Sequence, residues 1–284
     1  MTGSAFTRAR IAALCEDALR RSGALGVLPT PLDAVLEAAG VRDRVELARI
    51  PRRPAVAERL LGAVWFEERA LFVDRRQSEP RRRFTEAHEA VHLLCPWHEA
   101  TLRLDTAAEL FGPLVEGIEA EANFGAGQLI FQGSSFHVEA HGCERTLRTP
   151  FALAERFGAS RHAAAHHYVE AHPEPVALIV AGRWPGADGA LPVWRSIESA
   201  SFLRRFGRVG TCLPGGRLAA SDGPDAPLAG AIDEARRSSE PAASTLWLAD
   251  LGGRLRQLRA EVFNNRHCHL VFVAASASGA RRCA

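Results

Sequence analysis

The chain contains no lysine: all 35 of its basic side chains are arginine. Together with its richness in alanine, this reads first as genome composition and only second as function. Set against 33 acidic residues it leaves a formal charge of +2, too small by itself to argue for nucleic acid or a membrane surface. No apolar run reaches the roughly 18 to 20 residues of a bilayer span, and the N-terminus lacks a secretory pattern. The six cysteines (15, 95, 143, 212, 268 and 283) include no C-x-x-C pair. Scattered thiols give no disulfide framework and suit a reducing cytoplasm, the expected compartment. What is present is ordinary for a globular protein: 47% hydrophobic residues in 284, enough for a sizeable core and two domains.

The stretch that carries chemistry is HEAVH, His88 to His92, inside a segment from Arg83 to Leu94 without Gly or Pro. On a helix, positions i and i+4 share a face, so His88 and His92 can direct two imidazoles at one metal ion. Glu89 projects beside that pair, where zinc hydrolases of this pattern place the base that accepts a proton from water. A catalytic zinc needs a third protein ligand, and the helical segment Glu116 to Ile130 offers carboxylates for it. Glu119 and Asn123 are four apart and share a face, so Glu119 can bind metal while Asn123 holds a ligand in place. Glu121 points about 200° away from Glu119 around the helix axis, so only one of the two is the ligand; the pattern alone does not say which. Gly125 and Ala126 would let this helix approach the HEAVH helix closely.

R-x-R-F-T-x-A-H-E-x-x-H, followed about thirty residues later by I-E-x-x-x-N-x-G-A, resembles the ImmA/IrrE family of bacterial metallopeptidases, and most nearly its Deinococcus IrrE-type branch. The resemblance maps the metal-binding Glu onto Glu119. It implies an α+β protein with a zincin-like, gluzincin-type peptidase domain of helices and a small sheet. A helical helix-turn-helix-like middle segment and a GAF-like α/β C-terminal domain follow. The corresponding boundaries are 1–142, 143–173 and 174–284. The chain departs from the family where the third-ligand helix ends, in Leu129-Ile130-Phe131-Gln132, and at Glu86, where an apolar residue is common and a charge would stand near the site.

The rest of the chain is read in order. Ala5 to Arg21 has apolar residues at helical spacing and stops at Ser22-Gly23; Thr30 is placed to N-cap a short helix over 32–39, with Pro31 in its first turn. Residues 60–66 and 70–74 read as strands joined by Glu67-Glu68-Arg69, one of them offering an edge to an extended peptide. The arginines from 75 to 83 read as a solvated helix start rather than an anion site. Cys95-Pro96-Trp97-His98 reads as a terminator followed by a loop, with His98 read as exposed and a visit to the active site as the alternative. His137 and His141, beyond the third-ligand helix, are candidates to hydrogen-bond a tetrahedral intermediate.

Phe151 to Val169 has helix, Gly turn, helix spacing, but the second helix carries one Arg and three His, a thin recognition face for DNA. Residues 176–180, 191–196 and 269–274 read as strands of a separate α+β domain. His267-Cys268-His269 reads as core or edge residues rather than a metal site.

The expected activity is a zinc-dependent endopeptidase, with manganese or iron accepted by the same ligands. The resemblance implies cleavage of an XRE-type helix-turn-helix repressor, releasing stress, DNA-damage or mobile-element genes, and a C-terminal domain that reads a signal, with a small-molecule ligand as one candidate, or stabilises the substrate complex. Two rivals are a DNA-binding or repressor-binding regulator with a structural metal, and a catalytically quiet relative.

Overall fold

Ile11, Cys15, Ala18 and Leu19 recur at three- and four-residue intervals, and in a computed structural model they are the buried face of helix α1 (Thr2–Arg21). The helix stops before Gly23, which takes a φ of 69° that favours glycine. The structure describes residues 2–47, 61–104, 113–187, 189–213, 216–218 and 226–275. Leu60 of the expected first strand lies outside them. The chain divides into two compact units, Met1–Glu139 with Ala154–Ser160, and Ala140–Leu153 with Arg161–Ala284.

In the first unit, α2 (Leu32–Ala38) follows α1, but Thr30 does not cap it: the N-cap position is Pro31, which offers no side-chain bond. Thr30 is fully buried, and its hydroxyl donates to the carbonyls of Leu129 and Ile130 while accepting from Gln132 Nε2. Those carbonyls lie in the last turn of a later helix, where backbone acceptors have no helical partner, so a tertiary demand outweighs the local cap. Gln132 is the other half of this hub. Its amide donates to the carbonyls of Ala24 and Val27 and accepts from Gly26 N.

Three short strands follow: β1 (Asp43–Glu46), β2 (Gly62–Trp65) and β3 (Ala70–Val73). They form a sheet in the order β1-β3-β2, with β1 parallel and β2 antiparallel to β3. In the tip before β3, Arg69 donates to the carbonyls of Gly40 and Ala39, tying the end of α2 to the sheet. The HEAVH segment lies in α3 (Glu79–Leu94), with Pro at its start. Its basic entrance is structural: Arg76 pairs with Asp74, Arg75 with Glu46, and Arg83 donates to the carbonyl of Thr30. Then come α4 (Pro96–Leu104), α5 (Pro113–Phe131) and α6 (Ser135–Ala140).

Helix α3 packs against β2 and β3 and against α5, and α1 also packs on α5. The α3–α5 contact is built from small residues: Ala87, Ala90, Ala122 and Ala126 are buried. A Cβ at Gly125 would stand 2.6 Å from both γ-carbons of Val91 and 3.1 Å from Ile11 Cγ2.

The second unit holds a six-stranded, wholly antiparallel sheet in the order β6-β5-β4-β9-β8-β7. Its strands are β4 (Val176–Ala181), β5 (Leu191–Glu198), β6 (Arg217–Leu218), β7 (Ala242–Ala249), β8 (Leu255–Asn264) and β9 (His269–Ala274). Every residue of β4 and β9 is buried, because helices cover both faces. Helices α9 (Ala200–Phe206) and α10 (Ala226–Arg237) put Phe202, Phe206, Leu228 and Ile232 against Ala177, Ile179, Val271 and Val273. The alternate residues face α8 (Arg161–Glu170), whose Tyr168 meets Phe272. Ser199 caps α9: its hydroxyl accepts from Phe202 N and Val176 N and donates to the carbonyl of Glu174. Helix α7 (Arg148–Phe157) precedes α8, with Gly158 at φ 63° between them, the helix, turn and helix that the spacing predicts.

Two predictions come from this packing. Gly125→Val should overpack the α3–α5 contact and cost about 1 to 3 kcal/mol, whereas Gly127→Ala, with open space around it, should be neutral or stabilise by up to about 1 kcal/mol. Denaturant unfolding of the two variants checks the contrast. On α8, His162 and His166 are held below the ordinary histidine range by burial and by Arg195, His166 at about 4 with Glu170 opposing. A depressed folded-state pKa means that the unfolded chain binds the proton more readily. The stability from keeping them neutral is present above about pH 6.5 and lost as pH falls toward 4. His166→Gln should flatten the fall in the unfolding midpoint between pH 6.5 and 4.

Candidate active site

Helix α3 sets His88 and His92 one turn apart, with their Nε2 atoms 3.2 Å from each other. From α5, Glu119 brings Oε2 to 3.1 Å from His88 Nε2 and Oε1 to 3.6 Å from His92 Nε2. One donor atom from each of the three lies within 4.8 Å of the others. Among the described residues no other group of His, Cys, Asp and Glu gathers its donor atoms in this way. Two imidazole nitrogens and one carboxylate oxygen fit a catalytic zinc, whose fourth position takes water or substrate. His92 is almost fully buried whereas the Glu119 side chain is 47% exposed, so the group opens to solvent on the Glu119 side. Asn123 stands one turn beyond Glu119, and its Oδ1 is 3.2 Å from His88 Nδ1. The ring N–H donates to that oxygen, which leaves the Nε2 lone pair for a metal.

Glu89 is buried. A Cβ at Gly62, the first residue of β2, would stand 2.6 Å from Glu89 Oε1 and 2.5 Å from Thr85 Cγ2. Only a glycine lets the strand lie this close over the carboxyl. Burial lifts the Glu89 carboxyl to about 7, with the His88 charge opposing and Glu119 adding to it. Burial, followed by the neighbouring His88, pushes His92 down to about 3. At His88 burial acts downward, but the hydrogen bond to Glu119 and the charges of Glu89 and Glu119 outweigh it, and its pKa is raised. The same bond holds Glu119 below the ordinary carboxylate range. The metal-free pair therefore keeps a proton between His88 and Glu119, and a divalent cation would displace it.

The structure revises the reading of His98. The chain does not enter a loop after Cys95, because Pro96 occupies the first position of α4, where its missing N–H costs nothing. His98 is 0% exposed, with Nδ1 3.0 Å from His92 Nδ1 and Nε2 3.0 Å from Glu121 Oε2. Trp97 Nε1 donates to the same Glu121 oxygen. Glu119 and Glu121 thus diverge as their helical angle requires, Glu119 to the histidine pair and Glu121 to His98. No regular spacing joins His92, His98 and Glu121, so only the fold exposes that link.

The remaining candidates lie as follows. Glu86 is half-buried and faces Arg44 of β1 at 4.0 Å, and burial raises its pKa. His137 is on α6, its ring edge-on to Phe136, and His141 is exposed in the turn after α6; neither belongs to the donor group. In the second unit, His269 is fully buried on β9 with Nδ1 3.0 Å from the carbonyl of Gly182, Cys268 is buried and His267 exposed.

The donor set predicts its own metal chemistry. After zinc loading and dialysis, the full-length protein should retain one equivalent of zinc. Glu119→Ala and His92→Ala should lose it, and Glu89→Gln should keep it. Metal content by elemental analysis is the check, and retention of zinc by the Glu119 variant would place the site elsewhere.

Comparison with known proteins bears on the same residues. No curated protein matches the chain. Among solved structures, a Mycobacterium tuberculosis transcriptional regulator aligns with a TM-score of 0.56 at 15% identity, over 94% of this chain and 76% of that one; at this identity the likeness is one of fold. Residues 49–168 match the family model described as the IrrE N-terminal-like domain, Peptidase M78. That span contains α3 with its histidines and α5 with Glu119, so the part of the chain that bears the donor group is similar to the IrrE N-terminal-like peptidase domain.

Proposed function

We propose that the protein is a zinc-dependent endopeptidase, of the gluzincin type, acting in the cytoplasm. The observation that carries this reading is the convergence of His88, His92 and Glu119 on one point with a buried carboxyl, Glu89, beside them. His88, His92 and Glu119 would hold a zinc ion, or manganese or iron in its place, which would supply a Lewis acid and a water of lowered pKa. Glu89, buried beside the donor group, is placed to accept a proton from the attacking water and return it to the leaving amine. Asn123 holds the His88 ring in its ligating orientation. His137 and His141 stay as candidates to hydrogen-bond the tetrahedral intermediate. Strand β2 runs over Glu89 and pairs with β3. Among the described residues its other edge carries no strand, so an extended substrate peptide can add there.

The proposed substrate is an XRE-type helix-turn-helix repressor, whose cleavage would release stress, DNA-damage or mobile-element genes. We assign the peptidase to residues 1–142, the helix-turn-helix-like segment to 143–173 and a GAF-like sensor domain to 174–284. A six-stranded antiparallel sheet whose strands and one covering layer of helices all lie within 174–284 supports the last of these. The rival reading, a DNA-binding regulator, needs a free recognition helix. Helix α8 instead buries Ala164, Ala165, Tyr168 and Val169 and packs on β4 and β5, which argues against it.

The test compares new protein N-termini in cells carrying the wild type, Glu89→Gln or Gly62→Ala, with and without DNA damage. A cut in one DNA-binding repressor that Glu89→Gln abolishes, with zinc retained, is the expected result. Gly62→Ala should slow the same cut, because its methyl displaces the Glu89 carboxyl. Cleavage that continues in the Glu89→Gln strain would overturn the mechanism.

A further inference from the structure

His92 meets a second set of partners that the proposed cleavage does not use. Its Nε2 faces the donor atoms of His88 and Glu119, while its Nδ1 lies 3.0 Å from Nδ1 of His98. Two imidazole nitrogens at that distance share one proton position, so one ring donates and the other accepts. The far side of His98 decides which. Its Nε2 is 3.0 Å from Glu121 Oε2, and an ionised carboxylate only accepts. The same oxygen accepts from Trp97 Nε1, 2.8 Å away, and an indole N–H only donates.

His98 therefore carries its proton on Nε2 and presents a lone pair at Nδ1. His92 then carries its proton on Nδ1, and its Nε2 lone pair is left pointing into the donor group. With both rings neutral and Glu121 Oε2 accepting from Trp97 and His98, each bond in the series runs in this direction.

We propose that Glu121 and His98 form a positioning relay that fixes the tautomer and ring plane of His92, so that its Nε2 is set as a ligand before any metal arrives. The inference rests on the metal-site reading of His88, His92 and Glu119. A ligating histidine ordinarily gives its second N–H directly to a carboxylate, a carbonyl or water. His88 does this with Asn123, whereas at His92 an imidazole is interposed between ring and carboxylate. The relay is built from rigid parts. His98 is fully buried and edge-on to the Trp97 ring at 5.7 Å. Arg10 of α1 lies over the Trp97 ring, 4.6 Å from its centroid. The contacts of His98 with His92, Trp97 and Glu121 favour the orientation that offers Nδ1 to His92.

The experiment reads histidine tautomers by nitrogen NMR in the full-length, ¹⁵N-histidine-labelled protein, with and without zinc, and zinc affinity in three variants. The wild type should show His92 protonated at Nδ1 and His98 at Nε2 in both states. His98→Phe fills the space without an acceptor and should weaken zinc binding by about 10- to 100-fold. His98→Gln keeps an acceptor oxygen and should recover most of that loss. Glu121→Gln can turn its amide N–H₂ toward His98, so it should mix the tautomers and loosen the metal, seen as a changed absorption spectrum of the cobalt-loaded protein. His98 protonated at Nδ1 in the wild type, or folded His98→Phe binding zinc as tightly as wild type, overturns the relay. Failure of the wild type itself to bind zinc overturns the metal site instead, and the tautomers of the metal-free protein still judge the relay.

Discussion

The site depends on how near α5 can come to α3. Two helices with ordinary side chains between them keep their axes 8 to 10 Å apart, and a carboxylate on one then reaches a metal held by the other only through a long side chain. Here Gly125 faces the methyls of Val91, with Ala122 and Ala126 buried on the same helix and Ala87 and Ala90 on its neighbour. The contact leaves Glu119 within 3.1 Å of His88 and Asn123 within 3.2 Å of its other nitrogen. The same closeness sends Glu121 to His98. Three polar side chains of α5 find their partners because a handful of small ones make room.

Close packing of this kind has to be held from outside. At its C-terminal end, α5 leaves carbonyls without helical partners, and Thr30 supplies a hydroxyl to two of them. Gln132 then joins that turn to the loop after α1 through Ala24, Gly26 and Val27. On the opposite side of α3, β2 lies so close that only Gly62 fits above the Glu89 carboxyl. Burial there raises the pKa of that carboxyl toward neutrality. The polar groups that stabilise the helix ends and the close approach that buries the base serve one geometry.

The second unit is organised differently. Its central strands are apolar throughout because each face of the sheet is covered by helices. Strands β7 and β8 escape a reading of periodicity: β8 carries Arg256 and Arg259 among its apolar residues, and β7 opens with Ala242-Ala243-Ser244. Their long antiparallel pairing, from Ala242–Val262 to Ala249–Leu255, is what makes them strands. The four-residue β1 is similarly silent, since two of its residues are exposed and its order comes from pairing with β3.

What the amino-acid sequence determined alone was local. The i, i+4 spacing places His88 and His92 on one face with Glu89 beside them, and a gap-free helical segment makes that geometry certain to within a turn. Apolar periodicity marked α1, and the apolar runs marked β4 and β9. Between Glu119 and Glu121, helical geometry required a choice that it did not make, and the family resemblance pointed to Glu119. Only the tertiary structure decided the rest. It turned Thr30 from a cap into a buried donor, made the stretch after Pro96 a helix, and drew His98 from an expected exposed position into contact with His92. The physical reason is that backbone spacing sets which side chains share a face, whereas the partner across that face is chosen by the approach of another element. Here that approach is set by Gly125 against Val91, a contact between residues 34 positions apart in the chain.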